Sequence, residues 1–167
     1  MRSFFRRRPQ TDEVQALYQQ HGPALLLYAN SILGRRHAAE DVLQQVFMEL
    51  LEQNSIPEDP RPYLFRAVHN RALNQIRHER QNVDLADIEP WFDADAHDQV
   101  SEVTLRVGLQ QLTPEQRQTL VLHIWGGLSF IEIATVLEIP ANTAASRYRY
   151  ALQKLRAVML AEDPACF

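Results

Sequence analysis

Two helix-start signals in the last third of the sequence constrain the fold more than any other feature. Thr113 and Gln116 stand three residues apart with a proline directly after Thr113, the pattern of a capped helix that begins on proline. Ser129 and Glu132 repeat the spacing and start a second helix. The first helix should therefore begin at residue 114 and end near Gly126.

The second of these helices is short and leads into a tight turn. It should run to about Leu137, and Pro140 closes a turn at residues 138–140. A longer helix is then predicted to about Leu160. A short helix, a tight turn and a longer helix are typical of a helix-turn-helix, whose second helix enters the major groove of DNA.

The last helix combines an apolar face with an opposite polar face. By helical spacing, the apolar face contains Ala144, Tyr148, Ala151, Leu152, Leu155 and Met159. Hydroxyls and arginines on a polar face can read base edges, and flanking cations can contact phosphates. The pattern also fits the solvated face of an ordinary helical hairpin. The polar and flanking residues are Thr143, Ser146, Arg147, Arg149, Tyr150, Gln153 and Lys154.

The first 80 residues also predict helices. Apolar residues recur at helical spacing from about residue 14 to Gly34, and Pro23 is expected to kink or divide this stretch. A second helix is predicted at about residues 38–53. Residues 54–62 contain three prolines and predict a loop, after which a third helix should run from Pro62 to Arg80. The predicted buried stripes are Ala39, Val42, Leu43, Val46 and Leu50 on the second helix, and Leu64, Phe65, Val68, Ala72 and Ile76 on the third.

The third helix has a basic outer face, since Glu79 is its one acidic residue. Arg66, Asn70, Asn74 and Arg77 share the face opposite the apolar stripe. Amides can hydrogen-bond unpaired base edges, and arginines can pair with phosphate or stack on a base, so this face suits a nucleic-acid strand. A solubilising surface fits the same pattern.

The second helix presents a polar side with an unusual apolar residue in its middle. Asp41, Gln44, Gln45 and Met48 lie on this side, and Phe47 lies at the border of the apolar stripe. An exposed Met beside an aromatic residue indicates a protein-binding surface. A single stray exposed Met is the other interpretation.

The segment between the two helical modules is acidic. Residues 81–111 contain seven Asp and Glu against one Arg, in a chain whose net charge is −4. Residues 81–99 show no sustained helical period and contain Pro90, so we interpret them as a linker. A plain spacer fits this composition, although Trp91 and Phe92 would allow part of it to dock on something.

Residue types that build enzyme and metal sites are sparse. Cys166 is the one cysteine, which excludes an internal disulfide and a cysteine-built zinc site. The six histidines show no metal-ligand spacing, and the sequence has no phosphate-binding glycine loop or nucleophile elbow. We therefore expect no catalytic activity, metal, cofactor or small-molecule substrate.

The sequence also lacks the signals for membrane insertion and export. No apolar run approaches the roughly 18 residues of a membrane span, and the basic N-terminus lacks the apolar core of a signal peptide. We therefore expect a cytoplasmic protein.

Taken in order, five segments resemble a bacterial RNA polymerase sigma factor of the sigma-70 superfamily, in the extracytoplasmic-function (ECF) group. DVLQQVF at residues 41–47 resembles the polymerase-binding segment, and YLFRAVHN from residue 63, with Arg77, resembles the helix that engages the promoter −10 element. LTPEQR from residue 112 and GLSFIEIA from residue 127 resemble sigma region 4. TAASR from residue 143 resembles the start of its −35 recognition helix. The resemblance covers about residues 13–80 and 101–156.

This resemblance implies an all-α protein with two small helical domains. Residues 1–80 would form the helical bundle of sigma region 2, residues 81–100 an acidic linker, and residues 101–167 the helix-turn-helix of sigma region 4. The protein would bind core RNA polymerase and direct initiation by recognising duplex DNA at −35 and melted DNA at −10. We expect the acidic linker to pass through the basic interior of the polymerase.

The resemblance also implies three sets of binding residues. The polymerase-binding set is Asp41, Gln44, Gln45, Phe47 and Met48. The −10 set is Asn54, Arg61, Tyr63, Arg66, Asn70, Asn74 and Arg77. The −35 set is Thr143, Ala144, Ser146, Arg147, Arg149, Tyr150 and Lys154. The implied partners are core RNA polymerase, promoter DNA and an anti-sigma factor, which would mask the protein and could hold it at the inner membrane.

Three positions depart from the family pattern. Glu138 stands where glycine is common, Ala145 where lysine is common, and Asn74 where aspartate is common. These departures bear on the promoter sequence more than on the function. Two other functions stay open: a dimeric helix-turn-helix regulator that acts without replacing sigma, and a sigma-like interaction protein that captures a regulator without touching DNA.

Overall fold

The computed structural model of the protein describes residues 11–53, 56–80 and 108–162. These ranges contain helices and no β-strand, which confirms the predicted all-α fold. The predicted linker at residues 81–99 and the candidate residue Asn54 lie outside the described residues. The helices are α1 (Thr11–Leu33), α2 (Arg36–Glu52), α3 (Pro60–Arg80), α4 (Pro114–Ile124), α5 (Phe130–Leu137) and α6 (Ala141–Glu162).

Helices α1 to α3 pack on one another through the stripes that the sequence predicts. All five predicted stripe residues of α2 are buried. On α3, Leu64, Phe65, Val68 and Ala72 are fully buried, and Ile76 is half-buried. All of these side chains except Ala72 and Ile76 meet Leu25 and Tyr28 of α1 in one apolar cluster. Removing such side chains from water is the main favourable contribution to folding of this bundle.

Two boundaries differ from the prediction in the N-terminal half. Pro23 does not divide α1, which continues across it as one helix and ends at Leu33. Gly34, with φ of 68°, donates its N–H to the Asn30 carbonyl over 2.8 Å and closes the helix end. Helix α3 begins at Pro60 rather than Pro62, because both prolines are tolerated in a first turn and Asp59 accepts the Arg61 N–H at 3.3 Å.

Both predicted capping boxes are present in the C-terminal half. The Gln116 N–H donates to the Thr113 hydroxyl, and the Thr113 N–H donates to the Gln116 amide oxygen, each over 3.3 Å. The Ser129 N–H donates to the Glu132 carboxylate over 2.7 Å, and the Glu132 N–H donates to the Ser129 hydroxyl over 3.3 Å. These bonds satisfy amides that would otherwise lack partners at the starts of α4 and α5. The turn between α5 and α6 contains Glu138 in the left-handed region.

The two halves pack directly against each other, which the sequence did not predict. We call helices α1–α3 the first lobe and helices α4–α6 the second lobe. Helix α1 packs against α4, and α3 packs against α5. Phe65 of the first lobe and Leu122 and Ile133 of the second belong to one continuous buried cluster. Within the described ranges, none of the helices is both long enough and apolar enough to cross a membrane.

Candidate nucleic-acid and polymerase interfaces

The outer face of α3 forms one wall of a groove whose other wall is α2. The side chains of Arg66, Asn70, Asn74 and Arg77 follow helical spacing along this face. The groove has a volume of about 860 Å³. Residues predicted for −10 DNA and residues predicted for polymerase line it together, namely Asp41, Gln45, Tyr63, Arg66, Asn70 and Asn74.

Side-chain hydrogen bonds hold the two walls of this groove together. The Arg71 guanidinium donates to the Gln45 amide oxygen over 2.7 Å and also pairs with Glu49. The Gln53 amide donates to the Tyr63 hydroxyl. Arg71 is one of the cations of the basic third helix and is not among the predicted site residues. Helical spacing places Arg71 next to the buried stripe of α3. This position could have indicated that its side chain contacts the polar side of α2.

Four of the five α2 residues predicted to bind polymerase are exposed, and the fifth, Phe47, is covered by another aromatic residue. Asp41, Gln44 and Met48 are exposed, and Met48 retains 54% of its accessible surface. Phe47 is buried under Tyr18 of α1, whose ring meets it edge-on at a centroid distance of 5.1 Å. The aromatic residue at this surface is therefore Tyr18, because α1 covers the position at the border of the apolar stripe.

The residues predicted to contact −35 DNA lie between positions 143 and 154 of α6, and their side chains differ from one another in exposure. Tyr150 and Lys154 are exposed, and Ser146 and Arg147 are half-buried. The Ser146 hydroxyl donates to the Asn142 carbonyl over 2.8 Å within the same helix.

Ala144 is fully buried in the core shared by the two lobes. Its assignment to the DNA-contacting set does not fit this arrangement, because the methyl group faces the helices that support α6. Further along the predicted apolar face, Leu152 and Met159 are 40% and 50% exposed, whereas Leu155 is buried.

A cluster of three rings fixes α6 against the rest of the second lobe. His123 stacks on Phe130 at a centroid distance of 4.7 Å and meets Tyr148 edge-on at 4.5 Å. The His123 Nδ1 also lies 2.8 Å from the Leu128 carbonyl, to which it donates. Since Tyr148 is on α6, the cluster sets the orientation of the recognition helix. Sequence reasoning placed Tyr148 on the packed face but missed the histidine beneath it.

A buried Tyr–His pair lies inside the first lobe, behind the outer face of α3. The Tyr28 hydroxyl and the His69 Nδ1 are 2.8 Å apart. Burial raises the pKa of Tyr28 well above its ordinary value, so the hydroxyl stays protonated and donates. Burial lowers the pKa of His69, although the Glu138 carboxylate opposes the shift, so the imidazole accepts as a neutral ring.

Two arginines predicted to contact −10 DNA are engaged by carboxylates of the second lobe. Arg61 pairs with Glu132 over 3.1 Å, and Arg66 pairs with Glu138 over 3.4 Å. Burial alone raises the pKa of Glu132, but hydrogen bonds from Ser129 and Arg61 and the Arg61 charge outweigh it and leave that pKa below its ordinary value. The Arg61 Nε is buried without a hydrogen-bond partner. Nothing in the spacing of either half predicts these pairs.

Comparison with known proteins matches each lobe to one sequence family. The family described as "Sigma-70 region 2" matches residues 17–82, and the family described as "Sigma-70, region 4" matches residues 103–155. Together the two matches cover the greater part of the chain, in the order that the motifs predict. The chain is a sigma factor of the sigma-70 family, in its ECF group.

Several curated ECF sigma factors resemble this sigma factor along most of its length. The ECF RNA polymerase sigma factor SigL of Mycobacterium tuberculosis is 29% identical over 153 residues, which span 86% of both chains. The RNA polymerase sigma factor CarQ of Myxococcus xanthus is 28% identical over 156 residues, which span 89% of this chain and 90% of CarQ.

Two solved structures share the fold of this sigma factor. The sigma factor RpoE from Bartonella quintana, crystallised with the anti-sigma factor NepR, gives a TM-score of 0.69 at 20% identity and covers 90% of this chain and 98% of its own. CnrH, solved in complex with the cytosolic domain of CnrY, gives a TM-score of 0.59 at 24% identity and covers 91% and 90%. In the described part of this sigma factor, no three His, Cys, Asp or Glu side chains are grouped as metal ligands would be.

Proposed function

We propose that this sigma factor recruits core RNA polymerase and directs it to promoters through DNA contacts made by both lobes. The observation that carries the proposal is the pair of family matches, region 2 followed by region 4, on two lobes that each present a polar helical face. One chain with both regions favours a sigma factor over a dimeric regulator or an interaction protein. The protein would act by binding, without catalysing a reaction itself.

The outer face of α3 would hold the melted −10 strand. Asn70 and Asn74 offer amide groups to unpaired base edges, and Arg77 offers a cation to a phosphate. The groove beside them, with its volume of about 860 Å³, has room for a base that has left the stack. Because one strand must be unpaired to reach these groups, binding here favours melted over duplex DNA.

The first half of α6 would read duplex DNA at −35. Arg147 is half-buried at the start of this helix, and Lys154 is exposed one and a half to two turns further on. Changing Arg147 to Ala should cost about 1–3 kcal/mol at the −35 site if the side chain contacts a base or a tightly held phosphate. Quantitative footprinting of the holoenzyme measures this loss, and an unchanged footprint would contradict the assignment.

The exposed side of α2 would bind the polymerase. Asp41, Gln44 and Met48 form an accessible surface next to the Tyr18 ring. An apolar side chain and a ring surrounded by polar groups are typical of a protein-binding centre with a polar rim. Changing Met48 to Lys should weaken holoenzyme assembly while the fold is retained, because that side chain is 54% exposed.

An anti-sigma factor is the second protein partner that we propose. RpoE, which shares this fold, was solved with the anti-sigma factor NepR, and CnrH was solved with the cytosolic domain of CnrY. A masking partner would act on the DNA-binding and polymerase-binding faces, which we place in the bacterial cytoplasm with the polymerase. It could hold the sigma factor at the inner membrane.

Run-off transcription tests the proposed function directly. Purified full-length protein is mixed with core RNA polymerase that lacks sigma, and fragments of the source genome serve as templates. Discrete transcripts that depend on the added protein are the expected result. Asn70→Ala should abolish or weaken them, and Gln20→Ala, which removes an exposed amide on α1 outside the proposed binding surfaces, is the control. If no template gives a transcript with active core polymerase, the proposed function is wrong.

A further inference from the structure

The contact between the lobes uses groups that the proposed DNA site needs. Arg61 and Arg66 are on α3, whereas their carboxylate partners Glu132 and Glu138 are on α5 and the turn that follows it. Phe65, between the two arginines in sequence, is fully buried in the shared core. The start of the predicted −10 face therefore contacts the helix-turn-helix of the same chain, while the Arg66 side chain keeps 48% of its exposure.

A guanidinium that pairs with a carboxylate cannot at the same time use those N–H groups for a phosphate. Arg61 and Glu132 retain 33% and 25% of their side-chain exposure, so solvent screens this pair less than it would a fully exposed one. The Arg61 Nε has no partner in the closed arrangement, although it is buried. Release of Arg61 to water or to a phosphate would satisfy this donor. This gain offsets part of the loss of the Arg61–Glu132 ion pair.

Glu138 pairs with Arg66 from an unfavourable backbone conformation. It has φ of 55° and ψ of 46°, and it is the one non-glycine residue with positive φ in the described ranges. Glycine or asparagine would occupy this position with less strain. A glutamate here is explained by what its carboxylate reaches, which is the Arg66 guanidinium at 3.4 Å.

We propose that Glu132 and Glu138 form an autoinhibitory contact, in which the region 4 helix-turn-helix competes with DNA for Arg61 and Arg66 of region 2. This inference rests on the proposed function for the identity of the competing ligand. The free sigma factor keeps the start of its −10 face paired with its own carboxylates. Separation of the lobes releases both arginines to the melted strand.

The test compares the DNA affinity of the full-length protein with and without the two carboxylates. Glu132→Gln combined with Glu138→Gln removes both charges, and the amide oxygen introduced at position 132 can still accept from the Ser129 N–H and preserve the cap. The probe is a fluorescein-labelled single strand of about 20 nucleotides of mixed sequence, because phosphate contacts do not depend on sequence. We expect the double variant to bind roughly two- to tenfold more tightly than the wild type, from the loss of two partly exposed pairs.

A matched control separates competition from a general change in charge. Glu40→Gln combined with Glu52→Gln also removes two negative charges, but both residues are exposed on α2, away from the second lobe. This control should bind the probe no more than marginally better than the wild type. Equal gains in both double variants, or no gain in either, would overturn the proposal.

Glu138→Gly gives a second test, in which the substitution is not expected to lower the stability of the fold. Glycine relieves the left-handed strain, so the variant should unfold at the same or a higher urea concentration than the wild type while it binds the probe more tightly. A more stable protein without a gain in affinity would count against the proposal.

The proposal and the proposed function can fail separately. Transcription by the wild type with core polymerase, together with an unchanged DNA affinity of the double variant, would overturn the autoinhibitory contact alone. Absence of transcription would overturn the proposed function, and the affinity comparison would still decide whether the carboxylates compete with DNA.

Discussion

Gly126 lies where the end of α4 meets the first lobe, and its replacement by alanine should destabilise the whole protein. A Cβ atom at this position would lie 2.5 Å from the Leu122 carbonyl oxygen and 3.0 Å from the Phe65 ring. Ordinary van der Waals contacts of a Cβ begin at about 3.4 Å. The backbone of one lobe and a buried ring of the other must therefore both shift.

The expected cost follows from the kind of atom that must move. Inserting a methyl group into a packed core typically costs about 1–3 kcal/mol, and a contact with backbone leaves less room for relaxation than one with a flexible side chain. We expect a loss of roughly 2 kcal/mol, which lowers Tm by roughly 4–8 °C for a domain of this size. Urea unfolding followed by circular dichroism measures the free-energy change.

Gly22→Ala is the matched control, because the chemical change is the same and the surroundings differ. Gly22 lies inside α1, where a Cβ would meet the Tyr18 ring at an ordinary 3.7 Å. The usual gain from alanine in a helix is opposed here by Pro23, whose ring crowds a Cβ on the preceding helical residue, so we expect a change in the free energy of unfolding of no more than about 1 kcal/mol. If both variants unfold at the same urea concentration as the wild type, the close packing of Gly126 against Phe65 does not exist in solution.

Three further predictions concern local interactions in the two lobes. Tyr28→Phe leaves the buried His69 Nδ1 without its donor and should cost about 1–3 kcal/mol in urea unfolding; a neutral result would mean that water replaces the hydroxyl. The lowered pKa of His69 means that the unfolded chain binds this proton first, so stability should be full above the unfolded pKa of 6.5 and should fall as the pH drops below it. A His69→Gln variant should lose that part of the pH dependence, and an identical pH profile would exclude His69 as its source. Thr113→Ala removes the hydroxyl that caps α4 and should cost about 0.5–2 kcal/mol, whereas an unchanged urea midpoint would show that the cap is dispensable.

The elements and their caps were predictable because their signals are local. Thr113 and Ser129 start their helices as the sequence predicts, and the stripes on α2 and α3 are buried as their spacing predicts. Each cap and each apolar stripe is set by residues that lie within one or two turns of one another on the same helix. Of the two outcomes expected at Pro23, division of the helix does not occur, because α1 packs on the neighbouring helices on both sides of the proline.

The contact between the lobes could not be predicted, because it joins residues that are distant in sequence. Helical periodicity shows that a face is apolar, but it does not say which element covers that face. One signal was available in α4, where Leu120, Val121 and Leu122 are consecutive and all fully buried. A helix that is apolar in several directions must be covered on several sides.

The candidate site residues also differ in whether local sequence signals predict their surroundings. Exposed residues such as Asn70 and Met48 lie where their helical position predicts. Ala144 is buried as its place on the predicted apolar face indicates, and only its −35 role, which came from the family resemblance, does not fit. Phe47 is buried because α1 covers it, which the local pattern does not specify. Arg61 and Arg66 were assigned from the family resemblance, and their carboxylate partners emerge only from the tertiary arrangement.

The close fit of Phe65 against Gly126 has a consequence for hybrid proteins. A graft that takes its helix-turn-helix from another ECF sigma factor would bring a new residue to the position facing this ring, and any side chain larger than hydrogen would wedge the halves apart. Such a hybrid would contain two intact lobes, but the contact between them would be weaker than in either parent. To direct this sigma factor to new promoters, substitutions should therefore be made on the exposed face of α6. The residues at the contact between the two lobes should be kept.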